Sequence, residues 1–125
     1  MNHTALIFIG SGVGGVSRYW LSNGVYSLFG RQFPYGTLAV NATGSFLVGF
    51  LFVVLLDRFD GMDNPLRALL TVGFLGGYTT FSAFSIETIQ LIARGTWSSA
   101  VLNVCLNVML SISLAWLGVL GARQC

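Results

Sequence analysis

Residues 73–84 read Gly-Phe-Leu-Gly-Gly-Tyr-Thr-Thr-Phe-Ser-Ala-Phe, a small, polar, glycine-rich interruption in an otherwise apolar run from Leu66 to Ala93. Backbone that leaves the helix inside lipid survives only where protein or a watery cavity satisfies its freed N–H and C=O groups. The sequence therefore predicts a membrane helix broken part-way along, and the rest of the chain is read outward from that break.

The chain has 125 residues, 54% hydrophobic and 8% charged, with a mean hydropathy of +0.78. That is far more apolar than a soluble domain of this size needs, and it points to an all-α integral membrane protein. A spanning helix takes about 20 mostly apolar residues. Four stretches qualify, 4–22, 36–56, 66–93 and 98–120, and together they make residues 1–125 one four-helix membrane domain. Turn chemistry separates them: Asn23-Gly24 and Gly30 to Pro34, then Asp57 to Pro65 with Pro65 placed to open the next helix, then Arg94-Gly95-Thr96. The first span lacks a basic leading region and carries Gly and Ser within its apolar run, so it is read as retained rather than as a signal peptide. Cys105 and Cys125 are separated by roughly 30 Å if the last span is helical, so two unpaired thiols are expected.

Charge placement says more than net charge. All six basic residues are arginine. With four spans, Arg58, Arg67 and Arg123 fall on one side and Arg18, Arg31 and Arg94 on the other, so the positive-inside rule has no bias to act on. Such a chain is expected to insert both ways and to pair antiparallel with a second copy, giving the inverted-repeat symmetry that some transporters carry within one chain. Four helices are also too few to enclose much of a pore alone.

Transporters and channels bind ions at helix breaks of this kind. Here Thr79, Thr80 and Ser82 supply hydroxyls, and Phe81 and Phe84, three apart, share a face if helix resumes. Aromatic rings commonly pack, yet their edges carry the positive end of the ring quadrupole and can face an anion without trapping it. Asn41, in the first half of the second span, serves either as helix–helix glue or as an amide donor to a passing anion. Asn103, Asn107 and Ser111 lie on one face of the last span, as glue or as a polar track beside a pore. Glu87 is the only acidic residue outside the 57–65 loop, and a carboxylate inside a span is a functional candidate. Arg18 either snorkels to headgroups or draws anions to an entrance. Gly10 and Gly14 have the spacing that lets membrane helices approach closely. No nucleophile–base pair and no metal-ligand spacing appears, the single His3 standing apart, so the chain does not read as an enzyme. Nucleic-acid binding lacks a basic patch.

Three segments together carry a resemblance: Gly14 to Tyr19 (Gly-Gly-Val-Ser-Arg-Tyr), Pro34 to Phe46 (Pro-Tyr-Gly-Thr-Leu-Ala-Val-Asn-Ala-Thr-Gly-Ser-Phe) and Gly76 to Phe84 (Gly-Gly-Tyr-Thr-Thr-Phe-Ser-Ala-Phe). They resemble the Fluc/CrcB fluoride channels over the full length. The resemblance implies an antiparallel, dual-topology homodimer in the cell's inner (plasma) membrane, with two passive fluoride pathways. It implies that Phe81 and Phe84 line the pore and Asn41 donates into it, while Thr80, Ser82, Asn107 and Ser111 form a polar track and Arg18 stands by an entrance. It also implies a central structural Na⁺ held by the backbone carbonyls of Gly76 and Thr79 from both subunits. Two departures stand out. Ala83 occupies a position where the family often has a hydroxyl, and Asn103 one where some members have Tyr, which weakens its place in the pathway.

The competing readings are a small dual-topology proton-coupled exporter, which would need a carboxylate at mid-span, and a scaffold subunit that transports nothing. Glu87 sits off-centre in its span, and the first span has no carboxylate.

Overall fold

The computed structural model describes residues 2–58 and 65–124, and every regular element among them is helical. Helix α1 covers His3–Phe29, α2 Tyr35–Arg58, α3 Arg67–Leu75, α4 Ser82–Ala93 and α5 Trp97–Gln124. The acidic residues expected in the second loop fall largely outside the described residues, and so does Cys125. Cys105 carries a free, exposed thiol.

Among the described residues, three stretches are long and apolar enough to cross a membrane: Tyr35–Leu55, Arg67–Ala93 and Trp97–Gln124. Their large apolar side chains point largely outward, as lipid rather than water as surrounding solvent allows. Phe8, Trp20, Phe52, Ile89, Met109 and Trp116 are all exposed. Helix α1 has 27 residues, about 40 Å, which is ample length, but Ser11, Ser17, Arg18, Ser22 and Asn23 dilute its apolar run. The chain is a multi-pass, all-helical membrane protein.

Two seams hold the helices together, and both are made by small residues. On α1, a Cβ added at Gly10 would strike the Leu69 carbonyl of α3, and one at Gly14 would strike the Phe74 carbonyl. The Gly10–Gly14 spacing therefore does what the sequence suggested: it brings two backbones into contact. Between α2 and α5, Gly49 meets the Ala115 carbonyl and Gly118 the Phe46 carbonyl. Where helices lack water to drive them together, such contact supplies the dispersion energy that longer side chains would prevent. Val40, Leu75 and Tyr78 form the buried centre between the seams, with Leu21, Val48, Leu51 and Phe74 packed on it.

The connections match their sequence. Gly30 ends α1 at φ 84°, sending its N–H to the Tyr26 carbonyl, and Gly95 ends the α4 link at φ 79°. Both angles favour glycine. Thr96 closes the second turn by donating its N–H and its hydroxyl to the Leu91 carbonyl.

The break is narrower than the 73–84 expected. Helix α3 is wound as a π-helix, so the Gly76 N–H reaches back to the Thr71 carbonyl, and Gly76–Tyr78 then adds one α-helical turn. Only Thr79, Thr80 and Phe81 lie outside helix before α4 begins at Ser82. Gly73 and Gly77 do not interrupt the helix because they serve the seam with α1. A Cβ at Gly77 would meet the Ser11 carbonyl, and Gly73 lies against Gly10.

Candidate ion pathway beside the broken helix

The broken helix leaves carbonyls at the end of the Gly76–Tyr78 turn and N–H groups at the start of α4, all needing partners. Side chains from other helices supply them. Thr79 Oγ1 donates to the Leu75 carbonyl at 2.9 Å. Arg18 Nε donates to the Gly77 carbonyl at 3.2 Å, which places a cation at the negative end of that helix. Asn41 of α2 treats Thr80 as a strand would. Its Oδ1 accepts the Thr80 N–H at 2.9 Å, and its Nδ2 donates to the Thr80 carbonyl at 3.0 Å. Thr80 Oγ1 in turn accepts the Ala83 N–H at 3.2 Å, supplying the start of α4 with the side-chain cap that Phe81 lacks.

A consequence concerns two carbonyls. In an unbroken helix the N–H of Thr80 would go to Gly76, and that of Ala83 to Thr79. Here the side chains of Asn41 and Thr80 take both donors. The carbonyls singled out in the sequence are therefore those whose helical donors have been diverted.

Beside the break lies a cavity of about 500 Å³. Asn41, Thr80, Phe81, Phe84, Asn107 and Ser111 all line it, and so do Gly76 and Thr79. The helix breaks, the α2 amide and the α5 stripe thus meet on one wall, as their sequence positions alone could not establish. The Phe81 and Phe84 rings are 5.3 Å apart and tilted at 57° to each other. Phe84 is buried while Phe81 is 76% exposed. The Ser82 hydroxyl is 3.4 Å from that of Thr80, but Ser82 is not among the lining residues.

Three further site residues lie away from this wall. Arg18 is absent from that wall and lines a separate cavity of about 540 Å³ together with Ala83 and Glu87. Glu87 joins three helices: its carboxylate accepts the Tyr26 hydroxyl at 2.6 Å and the Thr37 hydroxyl on its other oxygen. Asn103 is fully buried, and its Nδ2 donates to Thr88 Oγ1 at 2.9 Å, so its own amide faces α4.

Sequence reading passed over Tyr26, Thr37, Thr71 and Thr88. Tyr26 lies beyond the predicted end of the first span, and Thr37 sits inside a quoted motif with nothing to mark it as a carboxylate partner. Thr71 Oγ1 is buried on the cavity wall without a partner among the described residues, leaving a donor unspent. Only the surplus of hydroxyls in apolar spans could have drawn attention to these four.

The fold and the wall define a class: a small multi-pass membrane protein with a mainly apolar, ring-lined cavity, carrying a few amides and hydroxyls, set against a discontinuous helix. Residues 5–119 match the family model described as CrcB-like protein, Camphor Resistance (CrcB), and the chain belongs to that family. It is 59% identical over 119 residues to a protein of Coxiella burnetii named fluoride-specific ion channel FluC, covering 95% of this chain and 96% of that one. Proteins of the same name from Geobacter sulfurreducens and Magnetococcus marinus are 52% and 45% identical. They match over 112 and 119 residues, which is 90% and 95% of this chain and 90% and 96% of theirs.

Proposed function

We propose that this chain forms a passive, fluoride-selective channel rather than an enzyme. The observation that carries the reading is the single cavity wall where Asn41, Thr80, Phe81, Phe84, Asn107 and Ser111 meet at the start of α4, in a chain whose relatives bear the fluoride-channel name. Fluoride is small and strongly hydrated, so a pore must replace its water with close hydrogen-bond donors. Hydroxyls, amides and the positive N-terminal end of α4 supply these without a full charge that would hold the ion. Ring edges at Phe81 and Phe84 would add weak attraction, and discrimination against chloride would follow from its larger size, which close donors set for fluoride accommodate poorly. The physiological logic is escape: fluoride enters acidified cells as the neutral weak acid, ionises inside and leaves down its gradient.

The unit of function in this reading is an antiparallel dimer in the inner membrane, with α1 as a fourth span and two pathways. Its supports are the even division of arginine and the exposure of Phe81 and Gly76 on a single subunit, where a partner would cover them. A Na⁺ ion fits the carbonyls of Gly76 and Thr79. These are hard oxygens, freed of their helical donors and without a carboxylate that would call for a divalent ion. Bound there, it would supply positive charge and rigidity at the dimer centre.

Purified protein in liposomes, loaded with fluoride or chloride and given a valinomycin shunt, tests the proposal. Fluoride efflux without a proton or Na⁺ gradient, with chloride retained, is expected. Equal loss of both anions, or no efflux, would overturn it. Prolonged Na⁺ depletion should lower the rate, and a rate proportional to the Na⁺ gradient would make the ion a coupled substrate instead.

A further inference from the structure

Asn41 has no donor to spare. Its Oδ1 takes the Thr80 N–H, and the two hydrogens of Nδ2 go to the Thr80 carbonyl and, at 3.2 Å, to Asn107 Oδ1. An anion held by this amide must take a hydrogen from one of those acceptors. Taking it from Thr80 would release the break, whereas Asn107 belongs to a side chain that can yield. We infer that Asn107 Oδ1 is the resting occupant of the Asn41 donor, the group an entering anion displaces, and that Asn103 and Thr88 are positioning residues that hold it there. The inference rests on the fluoride reading above and adds to it a determinant of how readily the anion is admitted.

Fixed backbone groups set the direction of every amide in this chain of bonds. Asn41 is oriented by Thr80, which offers one donor and one acceptor. Asn107 is oriented from its far end, where Nδ2 donates to the Asn103 backbone carbonyl at 3.1 Å, a group that can only accept. Its oxygen is thereby turned to Asn41. The same Nδ2 donates to Asn103 Oδ1 at 2.9 Å, which sends Asn103 Nδ2 to Thr88 Oγ1. Thr88 spends its own hydrogen on the Phe84 carbonyl at 2.8 Å, so its oxygen can only accept from Asn103. The chain of bonds starts at Thr80 and ends on the backbone of Phe84, a ring residue of the same cavity. Reversing Asn107 would face oxygen against two oxygens of Asn103, so the resting orientation is strongly preferred while Thr88 fixes Asn103.

Thr88→Val keeps the shape of the side chain and removes the acceptor. Asn103 is then free to turn, its hold on Asn107 weakens, and the anion displaces Asn107 more easily. Fluoride flux from liposomes carrying the full-length protein should half-saturate at a concentration about two- to tenfold lower, the effect of one net hydrogen bond. Thr88→Ser should restore the wild-type value, and Asn103→Leu should match Thr88→Val. Wild-type half-saturation in a well-assembled Thr88→Val protein, or the same change in Val and Ser variants, would overturn the inference. A second measurement separates its failure from that of the channel reading. In ¹⁵N-labelled protein, added sodium fluoride should shift the side-chain amide signals of Asn41 and Asn107 whether or not ions cross. Fluoride flux with those signals unmoved would sink the inference and spare the channel, while shifts without flux would do the reverse.

Discussion

At the scale of the residue, the two rings occupy unlike positions. Phe84 is buried against the bundle, whereas Phe81 stands 76% exposed with its ring tilted on Phe84. A ring that only packed would tolerate an isosteric apolar swap, which costs under about 1.5 kcal/mol in a core and less on an exposed site. A ring whose edge holds an anion loses its quadrupole in that swap, while the site stays apolar and of similar bulk. Phe81→Ile and Phe84→Ile should therefore each cut fluoride flux by roughly tenfold or more, the ~1.4 kcal/mol per decade within reach of one such contact. Elution on size exclusion should not change. Flux equal to wild type in both variants would return the rings to packing. Glu87 has a structural part as well. The sequence marked it as an intramembrane carboxylate, and in the structure each of its oxygens accepts a hydroxyl, from Tyr26 and Thr37, which fastens α4 to α1 and α2.

At the scale of the element, the seams dictate what the helices tolerate. Gly14→Ala places a methyl on the Phe74 carbonyl, and backbone cannot yield as a flexible side chain would. Overpacking of this sort costs about 1–3 kcal/mol, so the variant should unfold at a lower temperature in detergent. Gly12→Ala, on the same helix but facing open space, should not. Equal stability of the two would show that α1 does not depend on close approach to α3. The same elements show how far the sequence could be read. Apolar runs gave α2, α5 and the interrupted third stretch within a few residues, because lipid solvation acts on composition directly. The extent of the break could not be read so closely. Glycine at Gly73 and Gly77 signals either a gap in the helix or a neighbour that needs room, and only packing against α1 decides between them. The amide chain was legible in part: Asn103, Asn107 and Ser111 fall on one face by periodicity, but the turn of Asn103 toward Thr88 depends on where α4 lies. No pattern within one helix carries that information.

At the scale of the whole molecule, Phe81 on the cavity wall is exposed, and four spans would divide the six arginines three and three. If the chain inserts both ways, a terminal tag should be accessible from both sides of the membrane within one population. Lysines added between Asp57 and Pro65 should bias insertion and depress function, and an oppositely biased copy should restore it. Access from one side alone would dismiss the antiparallel dimer. One further point follows from how Asn41 holds Thr80. An interruption in a rod is ordinarily a hinge, the place where two halves swing. Here both backbone groups of Thr80 are tied to α2, Gly77 is tied to α1 through Arg18, and Thr88 ties the far half to α5. These ties brace the interruption from three helices at once, the arrangement of a welded joint rather than of a pivot. If an ion passes this wall, it is the side chains that would exchange partners, within a frame held by its own bonds.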